Sequence, residues 1–334
     1  MRTLPNRIPP DSASTELRNV AQPILDAPAF KRLNGITFLG ILSPDFGSVA
    51  RRRDGTRAEH SIGVAWIALD IARCLGMSSS AQRYAVAWGL LHDIATWPLS
   101  HTSEPAFTSI TGVNVRTLRR MIIVGDRRLP ANFSLRSKLR EMGVRPDVLL
   151  ALFETHSTRI DPESRLLWQV VHSRVTPDTL EGIARCAAAY EIGTPNTSHI
   201  WANFGRDLFN DVTIKRNGIA AARRFWRKKG YVYENFINNA GAILLESRWS
   251  SAIELAFQRI SLGTSLLLSE EDLIGKVNQF ELPHVRTTIR YKPPLVYSVS
   301  NAPPYRHVTQ LPISELHRFL QKSPMTHGGS SSTT

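Results

Sequence analysis

AEHSIGVAWIALDIARCLG, residues 58–76, and AQRYAVAWGLLHDIA, residues 81–95, decide the fold. In both, alanine, leucine, isoleucine and valine fill nearly every side of a helical wheel. Each stretch therefore predicts a helix buried on all faces, not one resting on a surface. Gly76 is placed to stop the first helix, and Pro98 marks the end of the second. Two such helices in succession need further helices to cover them, so the chain reads as mainly α.

Working outward, apolar residues recur from Ile24 to Leu42, broken by Gly35 and Gly40. The stretch SPDFGSVARRRDGTR that follows is a loop with Pro, Gly and an arginine run. Downstream, periodicity predicts helices at Val113–Val124, Ser134–Met142, Pro146–Phe153, Glu163–Val171 and Thr179–Ala189, and a longer one over about Glu234–Gln258. The good strand candidates come late, at VRTTIRY (Val285–Tyr291) and at LVYSVS beyond Pro293-Pro294. Residues 1–25, polar and rich in Pro and Ser, read as a flexible leader, and residues 323–334 as a disordered tail.

The 334 residues make one large domain or two ordinary ones. Composition is that of an average globular protein, 42% apolar and 21% charged, which excludes collagen-like and wholly disordered chains. No uncharged apolar run is long enough for a bilayer, so no membrane partner is expected. The start lacks the apolar core of a secretory signal. Cys74 and Cys186 are too few for a disulfide framework, which leads us to expect a reducing, cytoplasmic setting. Forty-one Lys and Arg against 28 Asp and Glu give a net charge of +13, an excess that draws in polyanions such as nucleotides or nucleic acid. The same excess is also what a solvated basic surface looks like.

Of ten histidines, His60 and His92 stand out, because each lies in a helix built for burial. One imidazole there is ordinarily a hydrogen-bonded core residue. Asp93 changes that reading: a carboxylate beside His92 in such surroundings costs several kcal/mol unless a cation or hydrogen bonds compensate. Neighbours on a helix diverge by about 100°, yet near a helix end both can bend toward one ion, with His60 from a second helix as a third ligand. Imidazole nitrogen with carboxylate oxygen suits Mn, Fe, Co, Ni or Zn, and Mg less readily.

These residues resemble a known family. TRAEHSIGVAWIA followed by LLHDIATWPLSH resembles the HD-domain phosphohydrolases, nearest the deoxynucleoside triphosphate triphosphohydrolase branch, whose wording is T-R-F-E-H-S-L-G-V and L-x-H-D-I-G-H-x-P-F-S-H. Asp178, in PDTLEGIARCAAAYEIG, matches the Asp of that branch's later helix. The likeness runs over roughly residues 28 to 277. It implies an HD-domain helical bundle, taken as residues 26–192, with a helical extension over 193–280; the late strand candidates make 281–322 a small β-containing segment. It implies one divalent metal on His60, His92, Asp93 and Asp178, and metal-assisted hydrolysis of a phosphoester or phosphoanhydride in a nucleotide or phosphorylated small molecule. Arg57 falls where the family places a phosphate-contacting Arg, and His101 where a histidine contacts substrate or acts as general acid. Asp93, His101 and Arg57 are thus the expected catalytic residues. Relatives often associate, so a homo-oligomer is expected by analogy.

The departures from the pattern are specific. Thr96 replaces the second His of H-D-I-G-H, and no His stands near Val115, where another catalytic one is usual. Gly182 and Cys186 replace a Tyr and an Asp that help recognise deoxyribose, and in the later Y-x-H the Tyr is kept as Tyr231 while Tyr233 replaces the His. The metal ligands persist while proton-transfer and deoxynucleotide-selecting residues go. Two alternatives stay open beside the enzyme: a catalytically impaired HD-domain binding or regulatory protein, and a nucleic-acid-binding protein using RRFWRKKGYVY (Arg223–Tyr233), whose aromatics alternate with cations.

Overall fold

The computed structural model describes residues 11–47, 53–154, 161–173, 175–280, 282 and 310–312. Helices α1 (Asp11–Leu25) and α2 (Pro28–Lys31) lead to the buried pair α3 (Arg57–Cys74) and α4 (Ser79–Leu91). Next come α5 (Glu104–Thr111), α6 (Val115–Val124), α7 (Arg136–Glu141), α8 (Pro146–Leu152), α9 (Pro162–Val171) and α10 (Pro177–Ala189). A short α11 (Ser198–Trp201) precedes a hairpin of β1 (Phe204–Arg206) and β2 (Val212–Lys215). The chain then runs through α12 (Arg216–Val232), α13 (Ala240–Ala256), α14 (Leu262–Leu267) and α15 (Glu270–Val277), and β3 (Gln310–Pro312) pairs antiparallel with β2. The fold is mainly α with a small sheet.

Local chemistry sets where the two central helices begin. Thr56 caps α3 reciprocally: its Oγ1 accepts from Glu59 N at 3.1 Å, and Glu59 Oε2 accepts from Thr56 N at 3.0 Å. Ser78 caps α4 through Ala81 N. Inside the bundle α3 and α4 touch backbone to backbone at Gly89, where a Cβ would lie 2.4 Å from Ala65 Cα. Gly63 admits α10 in the same way, since a Cβ there would meet Glu181 Cγ at 2.8 Å. Small residues on α3 thus allow both neighbours in, and all three helices bring charged side chains to one buried place.

The C-terminal helices are tied to this core by a buried carboxylate. Glu270 Oε1 accepts from Thr37 N and Oγ1, both at 3.0 Å, and from Leu99 N at 2.9 Å. Leu99 and Ser100 have left-handed backbones, with φ of 63° and 57°, a strained turn that these hydrogen bonds help to hold.

Three sequence expectations are corrected. The flexible leader does not extend over Asp11–Leu25, which is a helix with Leu17, Ala21 and Ile24 buried. Their spacing of three and four residues outweighs the Pro and Ser content that suggested a loose segment. The hairpin at Phe204–Lys215 lies in the stretch, 193–280, expected as a helical extension. The long helix over Glu234–Gln258 is instead a π turn at Tyr233–Ile237 followed by α13, because Asn239 starts a new helix by accepting from Ala242 N at 2.9 Å. The strand candidates at Val285–Tyr291 and beyond Pro294, and the expected tail, lie outside the described residues. Among the described residues, no helix is long and apolar enough to cross a membrane.

Candidate metal centre

His60 lies in the first turn of α3 and is fully buried. His92 and Asp93 sit just past the last residue of α4, where the negative end of the helix dipole favours a cation. Asp178 is in the first turn of α10. His60 Nε2 lies 3.1 Å from His92 Nε2 and 3.1 Å from Asp178 Oδ1. Asp93 Oδ2 stands 3.8 Å from His60 Nε2 and 3.5 Å from His92 Nε2, and Asp178 Oδ1 is 3.7 Å from His92 Nε2. The ligand atoms of His60, His92 and Asp93 all fall within 4.8 Å of one another.

The other ring nitrogens fix which atoms face inward. His92 Nδ1 donates to Gly89 O at 2.7 Å, and His60 Nδ1 donates to Glu181 Oε2 at 2.5 Å. In the neutral rings both Nε2 atoms then carry lone pairs. Two imidazole lone pairs and two carboxylates converge on one spot, with Arg57 Nη1 donating to Asp93 Oδ2 at 2.6 Å, and this set fits a divalent transition metal. The electrostatics agree. Burial alone would keep His60 neutral, but Glu181 and Asp178 raise its pKa to about 9, a measure of how strongly the spot draws positive charge. Burial opposes ionisation of Asp93 too, yet His92, Arg57 and His60 hold its carboxyl well below the usual range. For His92 burial prevails and lowers the pKa, favouring the neutral ring a metal needs.

A second layer orients the first. Glu181 sits one turn after Asp178, and its carboxyl is drawn down to about 2 against its burial, by Arg185 first and then by His60. Arg185 grips it with Nε at 3.0 Å and Nη2 at 2.5 Å, and Arg185 Nη1 donates to Asp54 O at 3.1 Å. This carboxylate–histidine arrangement is the usual support of a metal-ligating imidazole. Neither Glu181 nor Arg185 was singled out in the sequence. The available signal was their spacing of three and then four residues after Asp178, which puts all three on one side of α10.

Arg57, buried at 4% exposure, spans Asp93 Oδ2 at 2.6 Å and Ser100 Oγ at 2.9 Å. His101 is not brought into the group: its side chain is 70% exposed, with Nδ1 3.4 Å from Glu104 Oε2. It does line the same cavity of about 490 Å³ as Arg57, Asp93, Asp178, Gly182 and Tyr233. Thr96 is buried and its carbonyl is held by Arg32 Nη1 at 2.6 Å. A second cavity of about 260 Å³ reaches His92, Asp93 and Asp178 past Trp88 and Arg119, whose Nη2 donates to His92 O at 2.5 Å.

Residues 57–188 match the family model of the HD domain. The matched stretch opens at Arg57 and closes just short of the end of α10, so it contains all four converging residues. HD domains bind divalent metals, and the His60, His92 and Asp93 group could hold one here. No curated protein matches the chain. Among solved structures, a crystal structure described as a phosphohydrolase from Bacteroides thetaiotaomicron shares the fold, with a TM-score of 0.56 and 20% identity. The alignment covers 77% of this chain and 64% of that one, so this chain spans less than two thirds of its structural relative.

Proposed function

We propose that the protein is a metal-dependent phosphohydrolase acting on a nucleotide or related phosphate ester. The observation that carries this reading is the convergence of both Nε2 lone pairs with the Asp93 and Asp178 carboxylates. The HD-domain match and the phosphohydrolase of the same fold support it. His60, His92, Asp93 and Asp178 would hold one divalent ion, of Mn, Fe, Co, Ni, Zn or Mg. Such an ion supplies positive charge that polarises a phosphoryl oxygen and eases deprotonation of water.

The chain's own residues do the rest. Glu181 and Arg185 keep the His60 ring turned inward. Arg57 holds Asp93 in place and presents a fixed guanidinium to the cavity, where it offsets charge gathering on the phosphoryl oxygens. His101, exposed on the cavity wall, contacts substrate and exchanges a proton with the leaving group. The buried Thr96 hydroxyl is no proton donor at neutral pH, which argues against the deoxynucleoside triphosphate chemistry of the nearest branch. Purified protein should contain about one transition metal per chain, and His92→Ala with Asp93→Ala should remove it. A panel of phosphate esters assayed with Mn, Co, Ni and Mg should give turnover that disappears in Asp178→Ala. A wild-type chain that cannot be loaded with metal sinks the proposal. Metal without turnover on any ester would instead support the binding or regulatory alternative.

A further inference from the structure

Glu246, on α13, contributes nothing to the metal group, yet it lines the same cavity of about 490 Å³. With His101 it also lines a neighbouring cavity of about 340 Å³, whose wall includes Thr102, Ser247, Ser250 and Ser251. The two spaces therefore share His101 and Glu246 as a common wall. Among the described residues, one long hydrogen bond reaches the carboxyl, from Thr102 Oγ1 to Oε1 at 3.3 Å. Burial raises its pKa, with His101 and Thr102 opposing. Elsewhere the larger cavity is apolar at Phe38, Leu42, Ile183 and Val232.

A carboxylate on the wall of a cavity that takes a phosphate repels the phosphoryl group. It is suited instead to the organic part of the ester, and a half-satisfied, partly buried acceptor gains most from a partner that brings a hydrogen. We propose that Glu246 is the specificity residue of this site, accepting a hydrogen bond from a hydroxyl or N–H group on the organic part of a phosphate ester. A second phosphate placed there would meet this carboxylate, so the site favours monoesters over polyphosphates. The assignment rests on the phosphohydrolase reading and deepens it.

The test compares the Mn-loaded wild type with Glu246→Gln and Glu246→Leu on four probes: inorganic phosphate, phenyl phosphate, ribose 5-phosphate and guanosine 5′-monophosphate. Affinity is read as Kd by calorimetry, or as KM where the ester turns over. In the wild type at least one donor-bearing ester should bind more tightly than phenyl phosphate. Glu246→Leu should weaken that ester by about tenfold and leave inorganic phosphate and phenyl phosphate within about twofold, with Glu246→Gln, which keeps an acceptor oxygen, in between. Equal weakening of all four probes, no weakening of any, or no wild-type preference for a donor-bearing ester would overturn the assignment. Failure of the wild type to bind inorganic phosphate at all would strike the phosphohydrolase reading itself, a result distinct from these.

Discussion

Both imidazoles of the centre face inward because each commits its other nitrogen elsewhere, His92 to the Gly89 carbonyl and His60 to Glu181. The two commitments differ in kind. A backbone carbonyl only orients the ring, whereas a carboxylate also makes it a better electron donor. Glu181→Gln keeps an acceptor oxygen for His60 Nδ1 but removes the charge, so metal affinity should fall by about 10- to 100-fold. A calorimetric titration checks this, and an unchanged dissociation constant would show Glu181 to be mere packing. His60, His92 and Asp93 stood out in the sequence because a His-Asp pair in an otherwise apolar helix is chemically out of place, whereas Asp178 was marked only by the family resemblance. Glu181 and Arg185 were not, since a Glu and an Arg four residues apart read as an ordinary solvated pair until the burial of both is seen.

Among the elements, α3 and α4 carry the most consequence, and their periodicity announced them. What periodicity does not convey is how closely two helices approach. At Gly89 the approach is a backbone contact, and Gly89→Ala would force α3 and α4 apart. The expected loss is about 1–3 kcal/mol of stability, from overpacking, measured by urea unfolding. Because the Gly89 carbonyl also orients His92, weaker metal binding should accompany it. A variant with the wild-type midpoint would mean that the helices have slack to give. The helix at Asp11–Leu25 and the hairpin at Phe204–Lys215 escaped the sequence reading for different reasons. In the first, Pro and Ser masked a correct apolar spacing, and in the second each strand is too short to display an alternation of its own.

For the molecule as a whole, long-range ties were the least legible. Glu270 reaches residues 233 and 171 positions away, and nothing in a local window marks it as the clamp on Thr37 and Leu99. The basic surplus is also better understood in three dimensions. In α12 Phe225 and Trp226 are buried while Arg224 and Arg227 face solvent, so these two aromatics pack inward, whereas Tyr231 is 48% exposed. The candidate metal centre would have a long-range effect of its own. His60 is separated in sequence by 32 residues from His92 and by 118 from Asp178, so one ion would staple three distant parts of the backbone much as a covalent cross-link does. Thermal unfolding should then report on ion choice without any substrate. Each tenfold rise in free metal above its dissociation constant should add about 1.4 kcal/mol to folding, and the ion giving the highest Tm at equal concentration is the one this chain prefers. A melting curve indifferent to every ion would mean that no such staple forms.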